Sequence, residues 1–206
     1  IDLQEVGDQD WVRLTQSQFE PIRIHDRLWI VPSWHDAPSP DAINLVLDPG
    51  LAFGTGSHPT TGLCLEWLCQ NTVDGASLLD YGCGSGILAI AAARLGARPV
   101  VAVDIDEKAL EATTANAAVN GVSLVCRHTA QPLEETFDIV MANILTNPLC
   151  VLAPLLSGRV APGGRLVLSG ILDSQIEQVT AAYAPWIALT PGALREGWVR
   201  LEGQRC

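Results

Sequence analysis

Three glycines and one aspartate in the middle of the chain have the types and spacing of a nucleoside-binding turn. Gly82, Gly84 and Gly86 follow the run "SLLDY" and come directly before the Ala-rich stretch "ILAIAAAR". Glycine lets a ligand approach bare backbone beside a helix N-terminus. Asp104 ends the run "VVAVD" 20 residues after Gly84, the spacing at which a carboxylate accepts hydrogen bonds from ribose hydroxyls. These residues predict a site for a ligand that carries adenosine.

The same glycines permit two other interpretations. A tight strand-to-helix turn requires glycine without any ligand, and Gly84-x-Gly86-x-x-Ala89 also fits the fingerprint of nicotinamide dehydrogenases. Asp80 stands two residues before the first glycine, where dehydrogenases usually carry an apolar residue. The sequence also shows no second catalytic domain that would hold the substrate of a hydride donor. Both features disfavour the dehydrogenase.

A second candidate is Asn143, which follows "DIVMA" at the carboxyl end of a predicted strand. Open α/β sheets bind ligands at that edge, and an amide carbonyl can accept a hydrogen bond from an attacking amine. Thr55, Thr60 and Thr61 stand near a helix start, where a carboxylate binds favourably, although each could equally be an N-cap. We expect Asn143 to lie nearest the reacting atoms and Asp106 to be only an N-cap.

The hydropathy pattern supplies the elements that would hold these residues. From Leu78 onward, apolar runs alternate with helical stretches and short loops, which predicts a mostly parallel sheet covered on both faces. Two β-like runs follow, "WIALT" and "GWVRLEG", with a turn predicted at Pro191 and Gly192. This α/β arrangement resembles the doubly wound, Rossmann-like, seven-stranded sheet of class I S-adenosylmethionine-dependent methyltransferases, whose last strand inserts antiparallel. Their methyl donor carries adenosine.

The residues before Leu78 form a different pattern. A short helix is predicted over Trp11–Phe19, and "EPIRIHDRLWIVPSW" predicts a hairpin that turns at His25–Asp26. We predict a division into an N-terminal extension, residues 1–42, and an S-adenosylmethionine-binding catalytic domain, residues 43–206.

Composition restricts the partners. The net charge is −11 and Lys108 is the only lysine, which disfavours nucleic-acid binding and suits a basic partner or cationic ligand. No apolar run reaches the ~18 residues of a membrane span, and no signal peptide is visible. The six cysteines show no C-x-x-C spacing, which predicts reduced thiols and no zinc site. We expect a cytoplasmic, metal-free monomer that binds no membrane.

Longer motifs carry a resemblance to one family. The stretches "DPGLAFGTGSHPTT" and "ANILTNPL", with "YGCGSGILAIAAARLGA" and "VDID" between them, resemble the ribosomal protein L11 methyltransferase family, PrmA. The resemblance runs from about residue 10 to the C-terminus. It implies a class I domain that transfers methyl groups from S-adenosylmethionine to amino groups of lysines and of the N-terminus on one large-subunit ribosomal protein.

The resemblance also implies a set of site residues. By motif position, four residues would contact the donor: Thr61, Gly82, Asp104 and Asn143. A loop of four residues would close over its methionine end: Phe53, Gly54, Thr55 and Gly56. Such closure excludes water, and the Phe53 ring could lie against the sulfonium. We add Gly84 to the donor site, with Asp80 organising hydrogen bonds near the ammonium group, and assign no general base.

One departure and two alternatives accompany the resemblance. Family members normally carry a separate N-terminal domain that grips the ribosomal protein, and we expect that domain to be absent here, with Ile1 favouring a fragment. A methyltransferase acting on another protein lysine, and a non-catalytic donor-binding factor in ribosome assembly, remain alternatives. Amide or base acceptors are disfavoured because "NILT" lacks the proline pair and the aromatic residue of the N-P-P-Y or N-P-P-F motif.

Overall fold

A computed structural model describes residues 19–48 and 57–206, which form two β-sheets and the helices packed on them. The strands in these residues are β1 (Ile22–His25), β2 (Leu28–Val31), β3 (Ile43–Val46), β4 (Leu78–Tyr81), β5 (Val100–Asp104), β6 (Val125–His128), β7 (Phe137–Asn143), β8 (Val160–Leu172), β9 (Thr190–Arg195) and β10 (Trp198–Gln204). The α-helices are α1 (Pro59–Gln70), α2 (Ile87–Arg94), α3 (Glu107–Val119), α4 (Thr146–Val151), α5 (Ala153–Arg159) and α6 (Ile176–Tyr183). No helix in the described ranges is long and apolar enough to cross a membrane.

The large sheet has seven strands in the order β6-β5-β4-β7-β8-β10-β9. Strands β4 to β8 are parallel, whereas β10 runs antiparallel to both of its neighbours. Successive strand residues alternate between two cores: Leu78 packs with α1 and α2, and Leu79 packs with α4, α5 and α6 on the opposite face. The predicted class I methyltransferase fold, with its antiparallel last strand, is confirmed.

The terminal hairpin turns at a different place from the one predicted. The prediction of a turn at Pro191 and Gly192 is wrong, because both residues lie in β9 and the turn is at Glu196 and Gly197, with φ of 51° and 77°. Two consecutive positive φ values are typical of the type I′ turn that suits a two-residue hairpin. Proline is tolerated in β9 because this strand forms the sheet edge.

The region between β7 and β8 contains two helices in place of one long one. The stretch "NPLCVLAPLLSGRV" contains most of α4 and all of α5, which meet at Leu152. Pro154 lies in the first turn of α5, where its missing N–H costs nothing, whereas inside one long helix its ring would clash with the carbonyl of Cys150.

The small sheet consists of β1, β2 and β3. The predicted hairpin forms, with its turn at Asp26–Arg27, and β3 pairs in parallel with β2. Leu28 and Leu45 are fully buried in the same core as α1 and α2. The boundary predicted between residues 42 and 43 therefore separates β3 from β2, the strand with which it pairs, and the division stays a prediction. Residues 11–18 of the helix predicted over Trp11–Phe19 lie outside the described residues.

Candidate active site

The predicted site residues meet at the carboxyl ends of the central strands of the large sheet. Asp80 pairs in register with Ala102 of β5 and Met141 of β7, so β4, β5 and β7 end side by side. Asp104 is the last residue of β5 and Asn143 the last of β7. Because the carboxyl ends of adjacent parallel strands share one edge, the glycine turn, the aspartate and the asparagine surround one cleft.

The glycine turn is shaped partly by the chain itself. Gly82 and Gly86 have φ of 81° and 80°, which residues with a side chain rarely adopt. A Cβ on Gly82 would lie 2.4 Å from Cγ2 of Ile144, and one on Gly86 would lie 2.7 Å from Cγ2 of Thr113. Both glycines are therefore required for close packing, independently of any ligand.

Helix α3 supports this turn through two residues that the sequence analysis missed. The buried Thr113 hydroxyl donates to the carbonyl of Gly84 at 3.1 Å, and the Asn116 amide donates to the carbonyl of Ser85 at 2.8 Å. Their spacing of three residues places both on one helix face. Polar residues on the inward face of a helix were the signal that could have revealed them.

The Asp104 carboxylate is held by backbone groups but keeps acceptor capacity. Its Oδ2 accepts from the N–H of Gly84 at 2.9 Å, and its Oδ1 accepts from the N–H of Asp106 at 3.0 Å. A carboxylate has about four lone-pair positions, so each oxygen can still accept one hydroxyl. Asp106 also caps α3, since its Oδ1 accepts from the N–H of Lys108 at 2.9 Å, which confirms the predicted N-cap.

Asp80 lies beneath the turn with one oxygen unpaired. Its side chain is buried, and Oδ2 accepts from the N–H of Ala89 at 3.1 Å. Oδ1 is buried and has no hydrogen-bond partner among the residues that the structure describes. Burial raises the pKa of Asp80 to about 7; the Ala89 bond opposes this rise and the charge of Asp104 adds to it. An unpaired buried carboxylate oxygen is costly, and a cationic group would satisfy it.

Helix α1 brings Thr61 to Asn143. The helix N-cap is His58, whose Nδ1 lies 2.8 Å from the Thr60 hydroxyl, so neither Thr60 nor Thr61 is the N-cap. The amide Nδ2 of Asn143 donates to Oγ1 of the buried Thr61 at 3.4 Å. The predicted loop residues Phe53, Gly54, Thr55 and Gly56 lie outside the described residues, and their closure stays a prediction.

The comparisons with known proteins agree with this geometry. A model described as "Ribosomal protein L11 methyltransferase (PrmA)" matches residues 1–206. The ribosomal protein L11 methyltransferase of Cupriavidus pinatubonensis is 61% identical over 203 residues, which cover 98% of this chain and 68% of that protein. The protein of the same name from Dechloromonas aromatica is 60% identical over 201 residues, with the same two coverages. The chain spans about two thirds of the length of these relatives.

Solved structures give the same result. A ribosomal protein L11 methylase from Lactobacillus delbrueckii subsp. bulgaricus superimposes with a TM-score of 0.84 at 34% identity, over 91% of this chain and 99% of that chain. The T. thermophilus 16S rRNA methyltransferase RsmC, in complex with AdoMet and guanosine, has a TM-score of 0.64 at 23% identity, over 75% of this chain and 45% of that one. The second likeness concerns the fold alone. Because the family model matches residues 1–206 and the relatives are about 60% identical, the chain belongs to the ribosomal protein L11 methyltransferase family.

Proposed function

We propose that this chain transfers methyl groups from S-adenosylmethionine to ribosomal protein L11, and that the acceptors are amino groups of lysines and of the N-terminus. Family membership supports the reaction and the substrate protein. The observation that carries the proposal is the meeting of Asn143 and Thr61 beside the glycine turn, at the edge where Asp80 and Asp104 keep acceptor positions open.

The residues present fit the donor group by group. The remaining lone pairs of Asp104 suit the two ribose hydroxyls, and Oδ1 of Asp80, which has no partner among the described residues, suits the ammonium group. Thr61 lies in the first turn of α1, where the helix dipole favours the donor's carboxylate. Gly82 and Gly84 present backbone without a side chain between these groups.

Asn143 is the residue that we assign to the acceptor. Its Nδ2 donates to Thr61, which leaves the carbonyl Oδ1 to accept an N–H of the incoming amine and orient the nitrogen lone pair. When bound, the donor supplies a methyl group on a sulfonium whose leaving thioether is neutral. The chain therefore has mainly to align two reactants and exclude water.

The acceptor amine must be neutral to react. A lysine amine has an ordinary pKa of about 10.4, and an apolar surrounding lowers the pKa of an amine. Leu145, two residues after Asn143, is 69% exposed, and we assign it to such a surface. We assign proton removal to solvent, and no residue of this chain to general base catalysis.

The charge of the chain suits the proposed substrate. A net charge of −11 attracts a basic partner and accelerates its encounter. A reaction on a ribosomal protein also places the enzyme in the cytoplasm, which is part of the proposal.

The test is a transfer assay with methyl-labelled donor. We expect label in ribosomal protein L11, and less label when its amino groups are blocked beforehand. Asn143→Ala should lower kcat about 100-fold or more, on the scale of losing a positioned transition-state group, with a smaller change in donor affinity. Asn71→Ala is the matched control, because Asn71 follows the far end of α1. Label only in another protein would favour the second acceptor class, and donor binding without transfer would favour the assembly factor.

A further inference from the structure

The imidazole of His128, at the end of β6, connects two loops beside Asp104. Its Nε2 lies 2.9 Å from the carbonyl oxygen of Ile105, in the loop after β5. Its Nδ1 accepts the N–H of Ala130 at 3.1 Å, in the loop after β6. The ring is half-buried. It links Ile105, the residue after Asp104, to the loop after β6, the outermost strand on that side of the sheet.

These two contacts allow only one state of the ring. A carbonyl oxygen can only accept and a backbone N–H can only donate, so Nε2 carries a proton and Nδ1 does not. The other neutral tautomer would lose both hydrogen bonds, and a doubly protonated ring would lose the bond to Ala130. In this arrangement Nε2 is therefore the donor and Nδ1 the acceptor.

Backbone contacts at the same place show that the loop after β6 is built against Asp104. Asp104 and His128 are register partners in the parallel pair of β5 and β6. The N–H of Thr129 donates to the carbonyl of Asp104 at 3.0 Å. The N–H of Gln131 donates to the carbonyl of His128, and the N–H of His128 donates to Oε1 of Gln131. The ring bond to Ile105 adds a side-chain link between the loop after β5 and the loop after β6.

We propose that His128 is a positioning residue for the adenine-binding end of the donor site, an inference that rests on the proposed function. The Ile105 side chain is 75% exposed and directly follows Asp104. Such an aliphatic surface beside the ribose-binding carboxylate suits the flat apolar face of a nucleobase. By fixing the Ile105 carbonyl, His128 holds this surface and the loop after β6 at a set separation before the ligand binds. Without the ring, binding must order both loops, and affinity falls.

Two variants distinguish the roles of the two ring nitrogens of His128. His128→Gln places an amide N–H near the position of Nε2 and can keep the bond to Ile105, whereas His128→Asn places a carbonyl near Nδ1 and keeps only the bond to Ala130. We titrate each protein with S-adenosylhomocysteine by calorimetry. The loss of one such hydrogen bond predicts about tenfold weaker binding in the Asn variant, and the Gln variant should stay within about threefold of the parent chain. The donor KM should rise in the Asn variant while kcat at saturating donor is unchanged.

The outcomes distinguish this inference from the proposed function. If the parent chain does not bind S-adenosylhomocysteine, the proposed function is wrong. If the parent, Asn and Gln proteins bind S-adenosylhomocysteine equally well, His128 has no positioning role. The same conclusion follows if the Asn variant has a lower melting temperature but an unchanged affinity. A long-range proton–nitrogen NMR spectrum of the parent chain tests the ring without any variant. A proton on Nδ1 at pH 8 would overturn the proposal.

Discussion

Replacement of Asp80 by asparagine tests the electrostatics of the site most directly. The carboxylate is buried, one of its oxygens has no partner in residues 19–48 and 57–206, and burial raises its pKa from 3.8 to about 7. At ~1.4 kcal/mol per pH unit, this difference corresponds to about 4 kcal/mol of destabilisation when the group is ionised. Asp80→Asn removes the charge and keeps the shape. We therefore expect the variant to be more stable than the parent chain at alkaline pH.

The sign of the pH dependence follows from proton binding. Between about pH 4 and pH 7 the folded chain keeps a proton on Asp80 that the unfolded chain has lost, so stability falls as the pH rises through this window. The free energy of unfolding of the variant, minus that of the parent, should grow by roughly 3 kcal/mol between about pH 5 and pH 8. Taking this difference cancels the titration of groups common to both proteins.

The assay is urea unfolding of both proteins across that range, repeated with S-adenosylhomocysteine. In the absence of ligand the variant should gain stability with pH relative to the parent. The ligand should stabilise the parent more than the variant at pH 8, because its ammonium group pairs with the ionised Asp80 only in the parent. A difference that stays constant with pH, or a variant that is less stable than the parent at pH 8, would refute the reasoning.

Asp138→Asn is the matched control for this experiment. Asp138 is exposed at the opposite edge of the sheet, and hydrogen bonds from the N–H and hydroxyl of Ser77 lower its pKa. A carboxyl group whose pKa is lowered by folding contributes stability at pH values above its ordinary pKa, and this contribution is lost as the pH falls. The control variant should therefore be less stable than the parent near neutral pH, the opposite sign to Asp80→Asn.

Three further substitutions test single contacts of the site. Asp104→Asn must turn an NH₂ group toward one of the backbone N–H donors that its two oxygens accept, and calorimetry should show donor affinity at least tenfold weaker, on the scale of a charged hydrogen bond. Asp106→Ala removes the cap of α3 and should cost about 1 kcal/mol of unfolding free energy with unchanged donor affinity. Gly86→Ala forces a Cβ to 2.7 Å from Thr113 at a φ of 80°, so urea unfolding should show a loss of about 2 kcal/mol or more. An affinity loss in the Asp106 variant equal to that in the Asp104 variant, or a Gly86 variant as stable as the parent, would contradict these assignments.

Several features of this protein were readable from the sequence because their causes are local. The apolar strands, the helix after the glycine turn and the Asp106 cap each depend on residues within a few positions of one another. The parallel order then brings Asp104 and Asn143 to one edge, since parallel strands share the direction of their carboxyl ends. Local signals also misled in one place: Pro-Gly at 191–192 suggested a turn, whereas the turn occurs where Glu196 and Gly197 can adopt positive φ.

Only the tertiary structure decided which groups meet and how each is solvated. Asn143 and Thr61 are 82 residues apart in sequence, yet their side chains share a hydrogen bond. The burial of Asp80 and the bond between the His128 ring and Ile105 depend on segments from elsewhere in the chain. Sequence patterns report periodicity and local turn chemistry, whereas burial and hydrogen-bond partners arise only when distant segments pack together.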